Sequence, residues 1–328
     1  MDKIRWGILG AAKIAIEKVI PGMQKGAHIE IQAIASRELA RAQSTAQALA
    51  IPKAYGSYEA LLSDPDIDAV YIPLPNHLHV PWSLKAIECG KHVLCEKPIG
   101  LNASEAATLL RKAEEHPEIK VMEAFMYRFH PQWQHAKKLV DEGAIGQLRA
   151  IETIFSYHLV DPSNVRNIAE YGGGGLLDIG CYPISLSRYL FSKEPERVIG
   201  CMEFDPSFRT DRLATGILDF GGGTATFTIS TQMVLFQRVH ILGESGRIEI
   251  EVPFNPPPDH LTRIWLQTTG EAKVIEFEPV DQYMLQGEAF SLAILQSRPT
   301  PTPLQDAVAN MRIIDNLAAS AREGLWKS

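Results

Sequence analysis

The sequence predicts an α/β protein: an N-terminal doubly wound parallel sheet of the dinucleotide-binding (Rossmann) type, followed by an α+β domain with a mainly antiparallel sheet. Three observations carry that expectation. Short apolar runs alternate with helix-compatible stretches over the first 125 residues, as parallel βαβ units require. A glycine-bearing turn, Gly10-Ala11-Ala12-Lys13-Ile14-Ala15, follows the first apolar run at once. From about residue 197 to 278 nearly every segment reads as a strand, and in Thr224-Ala225-Thr226-Phe227-Thr228-Ile229-Ser230 apolar and hydroxyl residues alternate strictly.

Taken in order, Ile4-Arg5-Trp6-Gly7-Ile8-Leu9 is a buried strand that runs into the turn and then a helix. A turn of this kind lets backbone amides and the positive end of a helix dipole face a pyrophosphate. Gly7, Gly10, Ala12, Lys13 and Ile14 are therefore candidate cofactor residues, with Ala12 standing where the G-x-G-x-x-G pattern has its second glycine. The strand 30–35 ends at Ser36-Arg37, where an NAD-binding unit usually presents a carboxylate to the ribose. A hydroxyl and a guanidinium instead suit a 2′-phosphate, which points to NADP, with NAD as the alternative. Ser36 is also placed to cap a helix over 38–49.

A third strand, 69–72, stops at Pro73-Leu74-Pro75-Asn76-His77-Leu78-His79. Pro73, Leu74, Asn76 and His79 fall beside the expected cofactor crevice, and no Asp, Glu or Cys joins the histidines at metal-ligand spacing. A helix over 80–89 and a strand over 91–95 lead to Glu96-Lys97-Pro98 at a strand's carboxyl end, where such sheets bind ligands. A helix over 103–115 and a strand over 120–125 close a first domain of residues 1–125. Residues 126–328 form the second, with strands at 148–157 and across 197–278, and with helices 132–142, 181–191 and 286–296 available to cover its sheet. The terminal helix, 303–323, is able to pack back on the first domain.

Composition bounds the function. The 328-residue chain is 45% hydrophobic and 22% charged, which fits two ordinary globular domains. Its net charge of −7 offers no basic footprint for nucleic acid, so a small molecule is the expected partner. Cys89, Cys95, Cys181 and Cys201 lack metal or C-x-x-C spacing and suit reduced thiols. No signal peptide precedes the first strand and no apolar run is long enough to span a membrane, so a cytoplasmic location is expected.

The second chemical stretch is Tyr171-Gly172-Gly173-Gly174-Gly175-Leu176-Leu177-Asp178-Ile179-Gly180-Cys181-Tyr182-Pro183. Four consecutive glycines permit close backbone approach, and Asp178 and Tyr182 share one face of the helix that follows. With Gly7-Ile8-Leu9-Gly10-Ala11-Ala12 and Cys95-Glu96-Lys97-Pro98, this stretch resembles the Gfo/Idh/MocA family of NAD(P)-dependent sugar and polyol oxidoreductases over nearly the whole chain. Many members have Asp-x-Gly-x-His where this chain has Asp178-Ile179-Gly180-Cys181-Tyr182. The tyrosine, with 123–131, is similar to the branch of NADP-dependent D-xylose dehydrogenases and dimeric dihydrodiol dehydrogenases. The resemblance implies a Rossmann domain, an open-faced sheet used for oligomerisation, a dimer being favoured, and a catalytic Lys97.

Oxidising a hydroxyl requires hydride transfer to nicotinamide while a base takes the proton. Tyr182 is the expected acid/base, since a cationic Lys97 favours tyrosinate. Asp178 is expected to position substrate or the tyrosine helix, and Glu96 to orient Lys97 or the ribose. Arg166, His158 and Tyr283 are candidate substrate contacts. A non-enzymatic NADP-sensing module has no need of Lys97 and Tyr182 together, and an imine or enone reductase would consume NADPH without oxidising aldoses.

Overall fold

The polypeptide forms two compact units in the computed structural model, which describes residues 2–328. The first comprises residues up to Met126 together with Asp281–Val308, and the second comprises Tyr127–Val280 and Ala309–Ser328.

Six parallel strands build the first unit: β1 (Ile4–Leu9), β2 (Ile29–Ala35), β3 (Lys53–Tyr55), β4 (Ala69–Ile72), β5 (His92–Glu96) and β6 (Val121–Ala124), in the order β3-β2-β1-β4-β5-β6. The strand order reverses between β1 and β4, which makes their carboxyl ends the switch point where such sheets receive ligands. Every residue of β4 is buried, as expected for a parallel strand covered on both faces. The helices are α1 (Ile20–Met23), α2 (Leu39–Ala48), α3 (Tyr58–Leu62), α4 (His79–Glu88) and α5 (Ala103–Glu115). Two elements have no periodic signal: β3 is three residues long, and α3 is a five-residue helix started by the Ser57 hydroxyl, which accepts the Ala60 amide at 3.2 Å.

The second unit begins with α6 (Pro131–Asp141) and β7 (Leu148–His158), followed by α7 (Cys181–Phe191). The strands β8 (Arg197–Phe204), β9 (Asp211–Asp219), β10 (Thr224–Ser230), β11 (Gln232–Gly243), β12 (Gly246–Ile250), β13 (Thr262–Thr268) and β14 (Glu271–Phe277) complete an eight-stranded sheet. Its order is β14-β13-β12-β11-β7-β10-β9-β8, antiparallel except for the β7–β10 pair.

One helix assigned from sequence to the second sheet belongs elsewhere. The helix expected at 286–296 is α8 (Gln282–Leu295), and it packs in the first unit. There the Trp6 indole donates to Ser291 Oγ at 3.2 Å, and the Trp6 and Phe290 rings lie 5.7 Å apart. Both rings are fully buried. The final helix, α9 (Leu304–Glu323), starts in the first unit, but from Ala309 onward it lies in the second. Gly200 and Gly216 make room for it, because a Cβ on either would meet Leu317 within 3.1 Å.

Two helices open with a π turn, Ala15–Val19 before α1 and Leu176–Gly180 before α7. Each is followed within three residues by a proline, Pro21 or Pro183. Proline has no amide to give the preceding turn and its ring crowds the carbonyl there, and a wider turn relieves both. Among the described residues no helix is long and apolar enough to cross a membrane, and all four cysteines are free.

Candidate active site

The first unit carries the residues expected to hold the cofactor. Gly10 ends β1 with φ +121°, and a Cβ there would stand 2.9 Å from Leu74, so glycine is required both by backbone and by space. The helix starts at Lys13, and Ile16 donates back to Ala12 at 3.0 Å, which leaves the first amides of the helix to an outside acceptor. Gly7 is placed differently from the sequence expectation. It lies inside β1, buried, where a Cβ would collide with Leu61 at 2.5 Å, so it is a packing glycine and not part of the turn.

At the end of β2, Ser36 is buried and Arg37 exposed. Helix α2 is not closed by the Ser36 side chain in the way expected, because Glu38 is its first flanking residue, although the Glu38 amide reaches Ser36 Oγ at 3.4 Å. A residue missed from sequence joins them: Arg41 donates from Nη2 to the Ala11 carbonyl at 2.7 Å, bringing a second guanidinium to the glycine turn. Its partner Ala11 lies 30 positions away, so no local pattern marked it. A turn without room for a Cβ, a helix start and two guanidiniums fit a dinucleotide carrying an extra phosphate.

The Lys97 turn is pinned from several sides. The Tyr71 hydroxyl donates to Glu96 Oε1 at 2.6 Å, and the Ile99 amide donates to the buried Glu123 at 2.7 Å. Burial, and then Glu96, push the Tyr71 phenol far up, so it stays a donor. His79 is buried beneath this turn, with Nδ1 2.7 Å from the Pro98 carbonyl and Nε2 2.6 Å from the Leu74 carbonyl. Burial pushes its pKa down to about 4 although both carbonyls favour the charged form. Both ring nitrogens face carbonyls, so the neutral ring donates to one of the two and only the protonated ring to both; either way His79 sits between the turns after β4 and β5 and turns neither nitrogen toward a cofactor. Pro73 and Leu74 are buried, Asn76 is half-buried, and the Lys97–Pro98 peptide is cis. Tyr283, a candidate substrate contact, lies near Glu96: burial, then Glu96, then Asp281 raise its phenol.

The second unit carries Asp178 and Tyr182. The glycine turn makes a tight loop in which Gly174 donates to the Arg166 carbonyl at 2.9 Å and Gly173 to the Ile168 carbonyl at 3.0 Å. A Cβ on Gly173 would stand 2.5 Å from the Arg166 carbonyl oxygen. The turn delivers Asp178 to two partners. Tyr157 donates to Asp178 Oδ2 at 2.5 Å, and Arg166 Nε lies 3.0 Å from the same oxygen. Burial first and Asp178 second hold the Tyr157 phenol well above its ordinary range. Asp178 chiefly, with Tyr157 and Tyr182 adding, holds the Arg166 guanidinium charged against burial. Arg166 is therefore brought together with Asp178 and Tyr182, whereas His158 is exposed at the end of β7.

The Tyr182 ring is 5% exposed and sits among the rings of Phe254, Phe155 and Tyr127, with centroids 5.0, 5.8 and 5.9 Å away. Phe254 is fully buried on a segment tied down by Trp133 Nε1, which donates to the Pro253 carbonyl at 2.5 Å. Nothing in sequence separated Phe254 from other core aromatics. Phe254→Ala is expected to destabilise the protein by about 3–5 kcal/mol in urea unfolding, and to loosen Tyr182 as well. Unchanged stability would place the ring outside the supporting core.

A Rossmann sheet with a glycine turn, a lysine at the end of β5 and an acid–tyrosine helix in a second, open-sheet unit define a dinucleotide-dependent oxidoreductase. The oxidoreductase family described by its NAD-binding Rossmann fold matches residues 4–125, and the GFO/IDH/MocA C-terminal domain matches residues 133–249. The chain belongs to the Gfo/Idh/MocA family. It is 44% identical to an uncharacterized oxidoreductase of Rhizobium meliloti over 100% of both chains. It is 38% identical to an NADP(+)-dependent D-xylose 1-dehydrogenase of Haloferax volcanii, covering 97% of this chain and 98% of the relative. The crystal structure of KijD10, a 3-ketoreductase from Actinomadura kijaniata in complex with NADP and TDP-benzene, superimposes with a TM-score of 0.91 at 30% identity, covering 97% of this chain and 98% of that one.

Proposed function

We propose that this chain is an NADP-dependent oxidoreductase that transfers a hydride between nicotinamide and a hydroxyl or carbonyl of a sugar, sugar derivative or vicinal diol, in the manner of an aldose 1-dehydrogenase or a trans-dihydrodiol dehydrogenase. The observation that carries the reading is the Arg166–Asp178–Tyr157 group behind Tyr182. Such a group organises a polar substrate and a proton donor, and it has no use in a sensor that only binds dinucleotide.

Ser36, Arg37 and Arg41 would hold the 2′-phosphate, and the amides from Gly10 to Ile14 the pyrophosphate. Bound NADP supplies the carbon that accepts or gives the hydride. Tyr182 takes the hydroxyl proton in oxidation and returns it in reduction, and Lys97 hydrogen-bonds the reacting oxygen. Asp178 is neutralised by Arg166, so the pair offers directional hydrogen bonds without net charge, which suits a neutral polyol. The lysine cation and Arg166 both favour ionised Tyr182.

Replacing Arg37 by Ala is expected to weaken NADP about 10- to 100-fold, the worth of charge-assisted hydrogen bonds, with NAD affinity unaltered in the same titration. Equal losses for both cofactors would contradict the 2′-phosphate assignment. The broader test is a spectrophotometric screen of aldoses, anhydrosugars, inositols and vicinal diols with NADP⁺ and NAD⁺ in parallel. Because the chain is similar to a 3-ketoreductase, the screen includes NADPH oxidation with keto sugars. Binding of NADPH without turnover of any of these would favour the sensor.

A homodimer through the outer face of the second sheet fits the same reading. The strands β7, β9 and β11 expose Ile154, Ile217, Val234 and Phe236, with Val234 77% exposed, and apolar side chains left exposed on a sheet suit an interface. A monomeric mass in light scattering at micromolar concentration would rule it out.

A further inference from the structure

The four-glycine turn is gripped by a carboxylate that the reaction as described does not use. Asp211 opens β9 and is 9% exposed. Its Oδ2 accepts the Leu176 amide at 2.6 Å, and the neighbouring Gly175 amide favours the ionised carboxylate. The approach is close: a Cβ on Gly174 would stand 2.0 Å from Asp211 Oδ1, and one on Gly175 3.3 Å from Oδ2. Gly174 has φ +118° as well, so both its backbone and its lack of a side chain are needed for the carboxylate to enter. The Leu176 amide it receives begins the continuous π and α helix 176–191 that carries Asp178 and Tyr182. A carboxylate there satisfies orphan amides and matches the helix dipole.

We propose that Asp211 is the positioning residue of the Tyr182 helix: by holding the Leu176 amide against the close-packed Gly174 and Gly175 it sets where the helix begins, and so how Asp178 and Tyr182 meet the substrate. This rests on Tyr182 being the acid/base.

The grip is linked to protons. Burial pushes the Asp211 carboxyl up to about 7 against the lowering effect of the amides, and Asp178 adds like charge. The groups that face it are Asp178 on the helix and Tyr157 on β7. The neighbouring strand β10 and the glycine turn carry no titratable side chain. On its own segment and on β8, Arg209 is paired with Glu170 and Arg212 with Glu203, while Asp205 is bonded by Gln232. Arg166 is held on Asp178. The folded pKa lies above the unfolded value, so the folded protein holds the extra proton between about pH 4 and 7. Stability from this group is thus present at low pH and lost as pH rises through about 7. Ionisation strengthens the grip on the amides over the same range, so turnover rises where stability falls.

Asp211→Asn keeps the shape but replaces one acceptor oxygen by a donor facing amides. It is expected to lower kcat about 10²-fold, the cost of misplacing a catalytic group by an ångström, and to erase the rise in kcat near pH 7. The NADP dissociation constant should stay within about two-fold, because the cofactor residues lie in the other unit. Wild-type kcat with a wild-type pH profile would overturn the proposal. If the variant does not fold, hydrogen exchange on the wild-type protein decides: protection of amides 175–182, corrected for intrinsic rates, should rise from about pH 6 to 8, and a flat profile would overturn it. Tyr182→Phe with undiminished turnover would remove the acid/base assignment while leaving the exchange result standing, so the two failures are told apart.

Discussion

Tyr182→Phe is expected to lower kcat by about 10²–10⁴ while leaving NADP binding and folding essentially intact. The ring stays among Phe254, Phe155 and Tyr127, so the substitution removes only the hydroxyl from a packed site. That hydroxyl is the group through which the substrate proton is to pass, and the rest of the second-unit group cannot stand in for it. Tyr157 is held protonated by burial and Asp178, and Arg166 stays charged. Steady-state kinetics on the best substrate of the screen, with NADPH binding followed by fluorescence, measures the effect. A variant that retained full kcat would move the proton-transfer role elsewhere.

Lys97→Met is expected to cost a comparable factor, about 10²–10⁴ in kcat, by a different route. Methionine keeps the length of the side chain and removes the ammonium, and with it the hydrogen bond to the reacting oxygen and the cation favouring tyrosinate that the proposed function assigns to Lys97. The turn itself should survive, since Tyr71, Glu123 and His79 hold it through Glu96, the Ile99 amide and the Pro98 carbonyl. The acid limb of the kcat profile should therefore shift toward higher pH, because Tyr182 loses a stabilising positive charge. A loss of turnover with an unshifted limb would leave Lys97 as a hydrogen-bond donor only.

The two variants also separate two sources of damage. Both side chains lie on segments pinned by neighbours, so their loss should be read in kcat and not in stability. Phe254→Ala reverses that order, since its first effect is on the core and only then on the tyrosine it supports.

The positions of Lys97, Asp178 and Tyr182 in the fold were legible because each stands at a local signal: a strand end before proline, or a run of glycines opening a helix. Ser36 and Arg37 were legible because a strand end is a defined place on a Rossmann sheet. Tyr71, Glu123, Arg41, Tyr157 and Asp211 were not, because each acts on a residue 20 or more positions away. Tyr71 reaches Glu96, Arg41 reaches Ala11, and Asp211 reaches Leu176. No local pattern encodes such pairings. His79 and Gly7 were legible as members of the cofactor region but not as to role, since burial decides that His79 braces two turns and that Gly7 admits Leu61.

By itself the sequence determined the parallel sheet, the glycine turn, the basic end of β2 and the places of the Lys97 and Asp178–Tyr182 stretches in it, because hydrophobic period, turn chemistry and helix starts act over a few residues. Tertiary structure alone decided that α8 completes the first unit, through Trp6 and Phe290, and that α9 lies mainly in the second. It alone decided, too, which partners hold Glu96, Asp178 and the glycine turn. The physical reason is one of range: apolar faces and buried polar groups must find partners, and which distant segment supplies them depends on how the whole chain packs.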